Sequence, residues 1–226
     1  MRALRLLQGH SQAIRARVKG EVAARLGRGA AAAEFVDAAA RAHAALDEEG
    51  RRALARPGAL LPACSVGCSY CCHVHVDATV PEILAIADHL ARTRSPDDIA
   101  ALGQRLAEQV RRVEPLDDEA RWDAKIPCAL LGEGGRCSIY EVRPLRCRAF
   151  HSCSVEPCRD AFAGRDDAEP VPSPRLTRAH DAVEAGYDEA LAEAGLSAEG
   201  HRLESGLLRA LEHPAAVRAR SARTTA

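Results

Sequence analysis

Nine cysteines crowd between Cys64 and Cys158, and none lies outside that stretch. The densest group reads Cys64-Ser-Val-Gly-Cys68-Ser-Tyr-Cys71-Cys72. Gaps of two and three residues let a short loop curl and aim several sulfurs at one inorganic centre, as in zinc sites and iron–sulfur clusters. Gly67 supplies the positive φ that such a turn needs. The adjacent Cys71 and Cys72 are expected to diverge, so that one of them reaches a second metal, bridges, or supports the ligand shell. Cys128, Cys137, Cys147, Cys153 and Cys158 follow at wider spacing. Bringing them back to the first group closes long loops, which would couple metal binding to folding. The count fits two four-cysteine sites with one thiol over, and equally one cluster with spare thiols. An odd count, an adjacent pair and no export signal weigh against a disulfide framework.

Other side chains near the cysteines carry chemistry of their own. His73 and His75 alternate with Val74 and Val76, which would place both imidazoles on one face of a short strand beside the cluster. With so much sulfur nearby, solvent-facing histidines are the expectation there and at His151. His180 reads as a satisfied core histidine. Arg136, Arg143, Arg146 and Arg148 surround the later cysteines. They are expected to pair with acids such as Glu141 and to offset the charge of a thiolate centre, with Arg143, Arg146 and Arg148 as its supporting shell. An anion pocket beside the metal is the alternative. Gly132-Glu-Gly-Gly135 is a hairpin turn and not a phosphate loop, since no helix and no Lys-Ser/Thr follow it.

These residues resemble the bacterial CxxCxxCC-type cysteine-cluster proteins, a zinc- or iron-chelating family sometimes labelled iron–sulfur oxidoreductases. The resemblance rests on Cys64, Gly67-Cys68, Cys71-Cys72, Pro127-Cys128, and Arg136-Cys137-Ser-Ile-Tyr-Glu-Val-Arg-Pro-Leu-Arg-Cys147-Arg148, with Cys158 similar to a downstream family cysteine. It implies a metal centre whose principal ligands are Cys64, Cys68, Cys71, Cys72, Cys128, Cys137 and Cys147, with Cys158 secondary and Cys153 ranked last. An iron–sulfur cluster is favoured slightly over zinc. Iron would bring a redox role and need an external electron donor, with a protein redox partner as the expected one; zinc would make a structural interaction module. Cys64-x3-Cys68-x2-Cys71 is also similar to the radical S-adenosylmethionine signature, in which three cysteines ligate a four-iron cluster. Such enzymes use a large α/β barrel, and no series of strand–helix alternations is visible here.

The elements that must position these residues are mainly helical. Leu7, Ile14, Val18 and Val22 form a stripe in a helix over residues 3–27, and an Ala-rich helix follows over 31–54. Thr79-Val-Pro-Glu82 is a capping box with Pro in the first turn, and Ser95-Pro-Asp-Asp98 opens a further helix on Ile99, Leu102, Leu106, Val110 and Val113. An acidic linker spans 114–123. Residues 126–131 and 136–140 form the arms of a short β-hairpin that sets Cys128 near Cys137. Past Pro170, Pro172 and Pro174 come two more helices, one closed by Gly195 and one capped by Ser197. The expected architecture is a helical domain wrapped round an irregular cysteine-rich core with that hairpin. Its parts are 1–58, a helical segment; 59–165, the metal-binding domain; and 166–226, helices packing on the same domain.

The 226 residues carry a formal net charge of −1, which gives no basis for a nucleic-acid surface. No apolar run approaches the ~20 residues that span a bilayer, so no membrane partner is expected. The stretch from Met1 to Arg28 is basic and amphipathic but lacks the apolar core of a secretory signal. A reducing cytoplasm is the expected location.

Overall fold

Apolar periodicity decides most of the architecture. The computed structural model describes residues 2–27, 30–165 and 167–213. Met1, Arg28, Gly29, Asp166 and residues 214–226 lie outside the described part, as does the side chain of Leu7. The first two helices, α1 (Arg2–Ala23) and α2 (Ala32–Leu54), lie close to where their stripes place them. After them come strand β1 (Asp77–Ala78) and helices α3 (Val80–Thr93), α4 (Pro96–Val113), α5 (Asp118–Asp123), α6 (Leu145–Ala149), α7 (Glu156–Phe162) and α8 (Pro174–Glu193). Strand β2 (His201–Arg202) and helix α9 (Leu203–Glu212) complete the described chain. The protein is mainly α.

Two apolar cores share α3. In the first, Ile14, Val18 and Val22 of α1 meet Phe35, Ala42 and Leu46 of α2 and Val183, Tyr187 and Leu191 of α8, with Leu84 and Leu145 completing it. Gly186 brings α8 hard against α1, since a Cβ there would stand 2.5 Å from the Arg15 carbonyl oxygen. In the second, Ile83, Ile86 and Leu90 of α3 pack with Leu102 and Leu106 of α4 and Leu203 and Leu207 of α9. Leu130 and Ile139 belong to this second core, and Cys128 and Cys137 pack against it. The cysteine-rich segment is thus built onto a helical floor.

The forecast caps of α3 and α4 are present. Glu82 accepts from the Thr79 N–H at 2.8 Å, and the Ser95 hydroxyl accepts from the Asp98 N–H at 3.2 Å. Three expectations need correction. The acidic linker contains α5, begun by Asp117, whose carboxylate accepts the Ala120 N–H at 2.8 Å. Ser197 does not cap the last helix: its hydroxyl serves the Glu199 N–H at 3.2 Å, and Gly200, at φ 75°, turns the chain into β2 before α9 starts. The hairpin shrinks to one antiparallel bridge, Leu131 with Cys137, because Glu133–Gly135 coils into a 3₁₀ turn. The described two-stranded sheet lies elsewhere, pairing Asp77 with Arg202 and Ala78 with His201. Two-residue strands show no alternation for a sequence reading to find. No described helix is long and apolar enough to cross a membrane.

Candidate metal centre

The first cysteine group lies on a loop that ends in a 3₁₀ turn, Tyr70–His73. Its turn at Ser65–Cys68 closes through the Cys68 N–H to the Ser65 carbonyl, 3.0 Å, with Gly67 at φ 91°. The loop is then fastened to the later cysteines at two points. The Cys128 N–H donates to the Cys72 carbonyl at 2.7 Å, while buried Gln109 of α4 holds the Pro127 carbonyl at 2.5 Å. Bare backbones also meet, since a Cβ on Gly135 would stand 2.6 Å from the Gly67 oxygen. Gly135→Ala, at a residue with φ 70°, is therefore expected to cost about 2 kcal/mol and to part the two cysteine segments. Urea denaturation and alkylation of Cys68 would measure this; unchanged values for both would refute the contact.

All nine thiols are free. They fall into two adjoining neighbourhoods that meet at Cys71. Cys147 lies in the fields of Cys128, Cys137 and Cys71, and Cys72 in those of Cys71, Cys128 and Cys137. Cys68 instead feels Cys64, Cys71 and Cys158. Cys64 is exposed and receives the Ser152 N–H at 3.4 Å. Cys153 bonds through its backbone to Val171. Among the described residues, no three or more His, Cys, Asp or Glu side chains form a group that could hold a metal ion.

Cys71 and Cys72 sit in succession in the 3₁₀ turn Tyr70–His73, and each thiol acts strongly on the other's pKa. In a 3₁₀ turn successive residues are about 120° apart rather than on opposite faces. The Cys72 thiol stabilises a Cys71 thiolate, with Arg143 assisting, and lowers Cys71 to about 7. The Cys71 thiolate beside it, burial and neighbouring thiols raise Cys72. Burial, reinforced by Glu204 and Cys137, pushes Cys128 up to about 12. Burial likewise raises Cys137, Cys147 and Cys68, with the surrounding thiols adding to it.

The arginines separate by role: Arg143 precedes α6, while Arg146 and Arg148 lie two residues apart on it and so point about 200° from each other. Arg143 stacks 3.7 Å over the Tyr140 ring and favours the thiolates of Cys71, Cys137 and Cys147. Its buried Nε and Nη1 have no hydrogen-bond partner among the described residues. Arg146 departs from the expectation: exposed, it acts on Glu184 and Asp188, whose carboxyls burial has raised, Glu184 to about 7. Arg148 pairs with Asp47 of α2 at 2.9 Å and takes the Glu141 backbone carbonyl, not its carboxylate. Arg136 is exposed.

The histidines also depart from a common strand face. His73 donates Nδ1–H to the Ser69 carbonyl at 3.1 Å and sets its ring edge against Phe162. His75 donates Nε2–H to the Leu116 carbonyl at 3.1 Å and accepts from Arg121 at 2.9 Å through Nδ1. Burial and Arg121 lower its pKa, which keeps it neutral. His151 donates to the Ala149 carbonyl at 2.7 Å and accepts the Ser173 N–H at 2.9 Å, so both its nitrogens are engaged. His180 is buried, but its Nδ1 lacks a partner among the described residues, so it is not the fully satisfied histidine expected.

Two supporting groups escaped the sequence reading. Arg121 is fully buried and bonds Glu204 of α9 at 2.6 Å. An arginine within an acidic run gives no sign of burial. Phe162 gathers Tyr70, His73 and Trp122 at centroid distances of 5.5, 4.7 and 5.7 Å, tying the helix of Cys158 to the turn of Cys71 and Cys72.

An all-thiol donor set suits zinc or an iron–sulfur cluster. The unpartnered Arg143 donors lie where a negatively charged thiolate centre would meet them. The donor chemistry fits such a group, although the described side chains are not drawn together as its ligands. Fold and site together define a mainly helical cysteine-cluster protein. Residues 63–168 match the CxxCxxCC family model, described as "Putative zinc- or iron-chelating domain". No curated protein and no solved structure matches the chain significantly. The radical S-adenosylmethionine resemblance lacks its fold context, since the described strands form a single two-stranded antiparallel sheet.

Proposed function

We propose that this protein holds an iron–sulfur cluster through thiolates drawn from Cys71, Cys72, Cys128, Cys137 and Cys147, and exchanges electrons with a protein partner. What supports the reading is that these thiols, from separate segments, lie within one another's electrostatic reach with Arg143 acting on Cys71, Cys137 and Cys147, although the described side chains are not closed into a ligand group. Five all-sulfur donors exceed what one tetrahedral zinc ion takes, and the guanidinium offsets the charge of a thiolate-bound cluster. Cys64, Cys68 and Cys158 form the adjoining neighbourhood, with Cys64 on the solvent side as a further ligand or point of metal entry. Exposed Leu60, Leu61 and Val66 flank that side and offer a partner an apolar rim.

Anaerobic purification followed by iron, sulfide and zinc analysis tests the reading. Brown protein with matching iron and acid-labile sulfide is the expected result. Colourless protein with one zinc per chain would remove the redox role, since zinc has no redox chemistry. Cys128→Ser is expected to lose most of its metal, while Cys153→Ser keeps it. Equal losses in the two variants would overturn the ligand set.

A further inference from the structure

We propose that Glu82 is a positioning residue for Cys147, capping from α3 the short helix that carries this thiol. Helix α6 starts after Pro144, which has no side-chain group to accept an N–H. Its first residue, Leu145, nevertheless has a satisfied amide, which donates to Glu82 Oε1 at 2.7 Å. The other oxygen, Oε2, accepts the Thr79 N–H at 2.8 Å and the Thr79 hydroxyl at 2.7 Å. That hydroxyl in turn accepts from the buried Tyr187 hydroxyl at 2.7 Å. One carboxylate therefore caps two helices, its own and a neighbour's.

Burial makes the arrangement consequential. Glu82 is 3% exposed, and a carboxylate stays charged at such a site only when hydrogen bonds hold it. His43 stands 3.9 Å from Oε1, and its Nε2 has no hydrogen-bond partner among the described residues. Arg148 adds a second tether to α6 through Asp47, but it acts one residue beyond Cys147. The Glu82 bond acts at the start of α6 and so fixes where the helix enters the thiol neighbourhood. This inference rests on the reading of Cys147 as a ligand.

The test uses metal-free, full-length Glu82→Gln. An amide retains one acceptor oxygen, so either the Leu145 or the Thr79 N–H is left without a partner. Cys147 is expected to be alkylated by iodoacetamide about tenfold faster than in the parent protein, with Cys128 unchanged in the same sample by peptide mass spectrometry. Adding Pro144→Ser, which gives α6 a cap of its own, is expected to restore slow labelling; general loosening of the fold would not respond to it. Unchanged Cys147 labelling in folded Glu82→Gln overturns the proposal. If the variant does not fold, hydrogen exchange of the Leu145 amide in the parent protein decides. Slow exchange supports the cap, and exchange as fast as that of an exposed loop overturns it. Failure of the parent protein to take up iron or zinc would overturn the ligand reading of Cys147, whatever the labelling shows.

Discussion

Arg121→Ala is expected to cost the folded protein about 3–5 kcal/mol, the usual result of stranding one member of a buried ion pair. The guanidinium is fully buried, as is its partner Glu204, 3% exposed at the side chain. One nitrogen donates to Glu204 at 2.6 Å and another to His75 at 2.9 Å. Removing the arginine leaves a carboxylate inside the second core with no cation to meet it. The pair also clasps α5, α9 and the segment just after the first cysteine group, so its loss is expected to loosen Cys128 as well. Arg121→Met with Glu204→Leu should recover most of the stability, because neither charge then needs desolvating. Urea denaturation of the parent, single and double variants closes the cycle. A single-variant cost below about 1 kcal/mol would show the pair to be solvated in solution.

This pair also marks where the sequence stops being legible. Long helices announce themselves through stripes and caps: α3 and α4 could be placed from Thr79, Glu82, Ser95 and Asp98 because each cap acts within one turn of chain. Glu82 was readable as the partner of Thr79, but its bond to Leu145 joins distant segments and leaves no local pattern. Burial of Arg121 is hidden for the same reason, since its partners lie on other elements. Ser197 misled because a serine ahead of a helix can also serve a local turn, and Gly200 makes that turn here. The placing of Cys71 and Cys72 in one turn rested on a backbone choice, 3₁₀ rather than extended, which spacing does not settle. Sulfur chemistry carried further than geometry. Nine thiols without a disulfide pattern pointed to a metal, while their division into two neighbourhoods depends on how the loop lies against Ser152 and Gly135.

Stripping the metal is expected to lower the free energy of unfolding by about 4 kcal/mol when the free metal stands near a thousand times its dissociation constant. The five inner thiols come from the 3₁₀ turn at 70–73, the segment around Cys128, the bridge at Cys137 and helix α6. Between these segments run only a few backbone bonds, such as Cys128 to Cys72 and Ser138 to Leu130. A shared inorganic centre would therefore act as their main crosslink. The core of α1, α2 and α8 has its own apolar packing and should lose less. Trp122, the one tryptophan in the chain, reports on the weaker half, since it packs on Phe162 with Lys125 Nζ 4.2 Å above its ring. After chelation its emission should shift to the red and its urea transition should fall to lower concentration, ahead of the helical signal at 222 nm. Superimposable transitions before and after chelation would show that the thiol segments hold together without metal, and the coupling of metal binding to folding would fail with them.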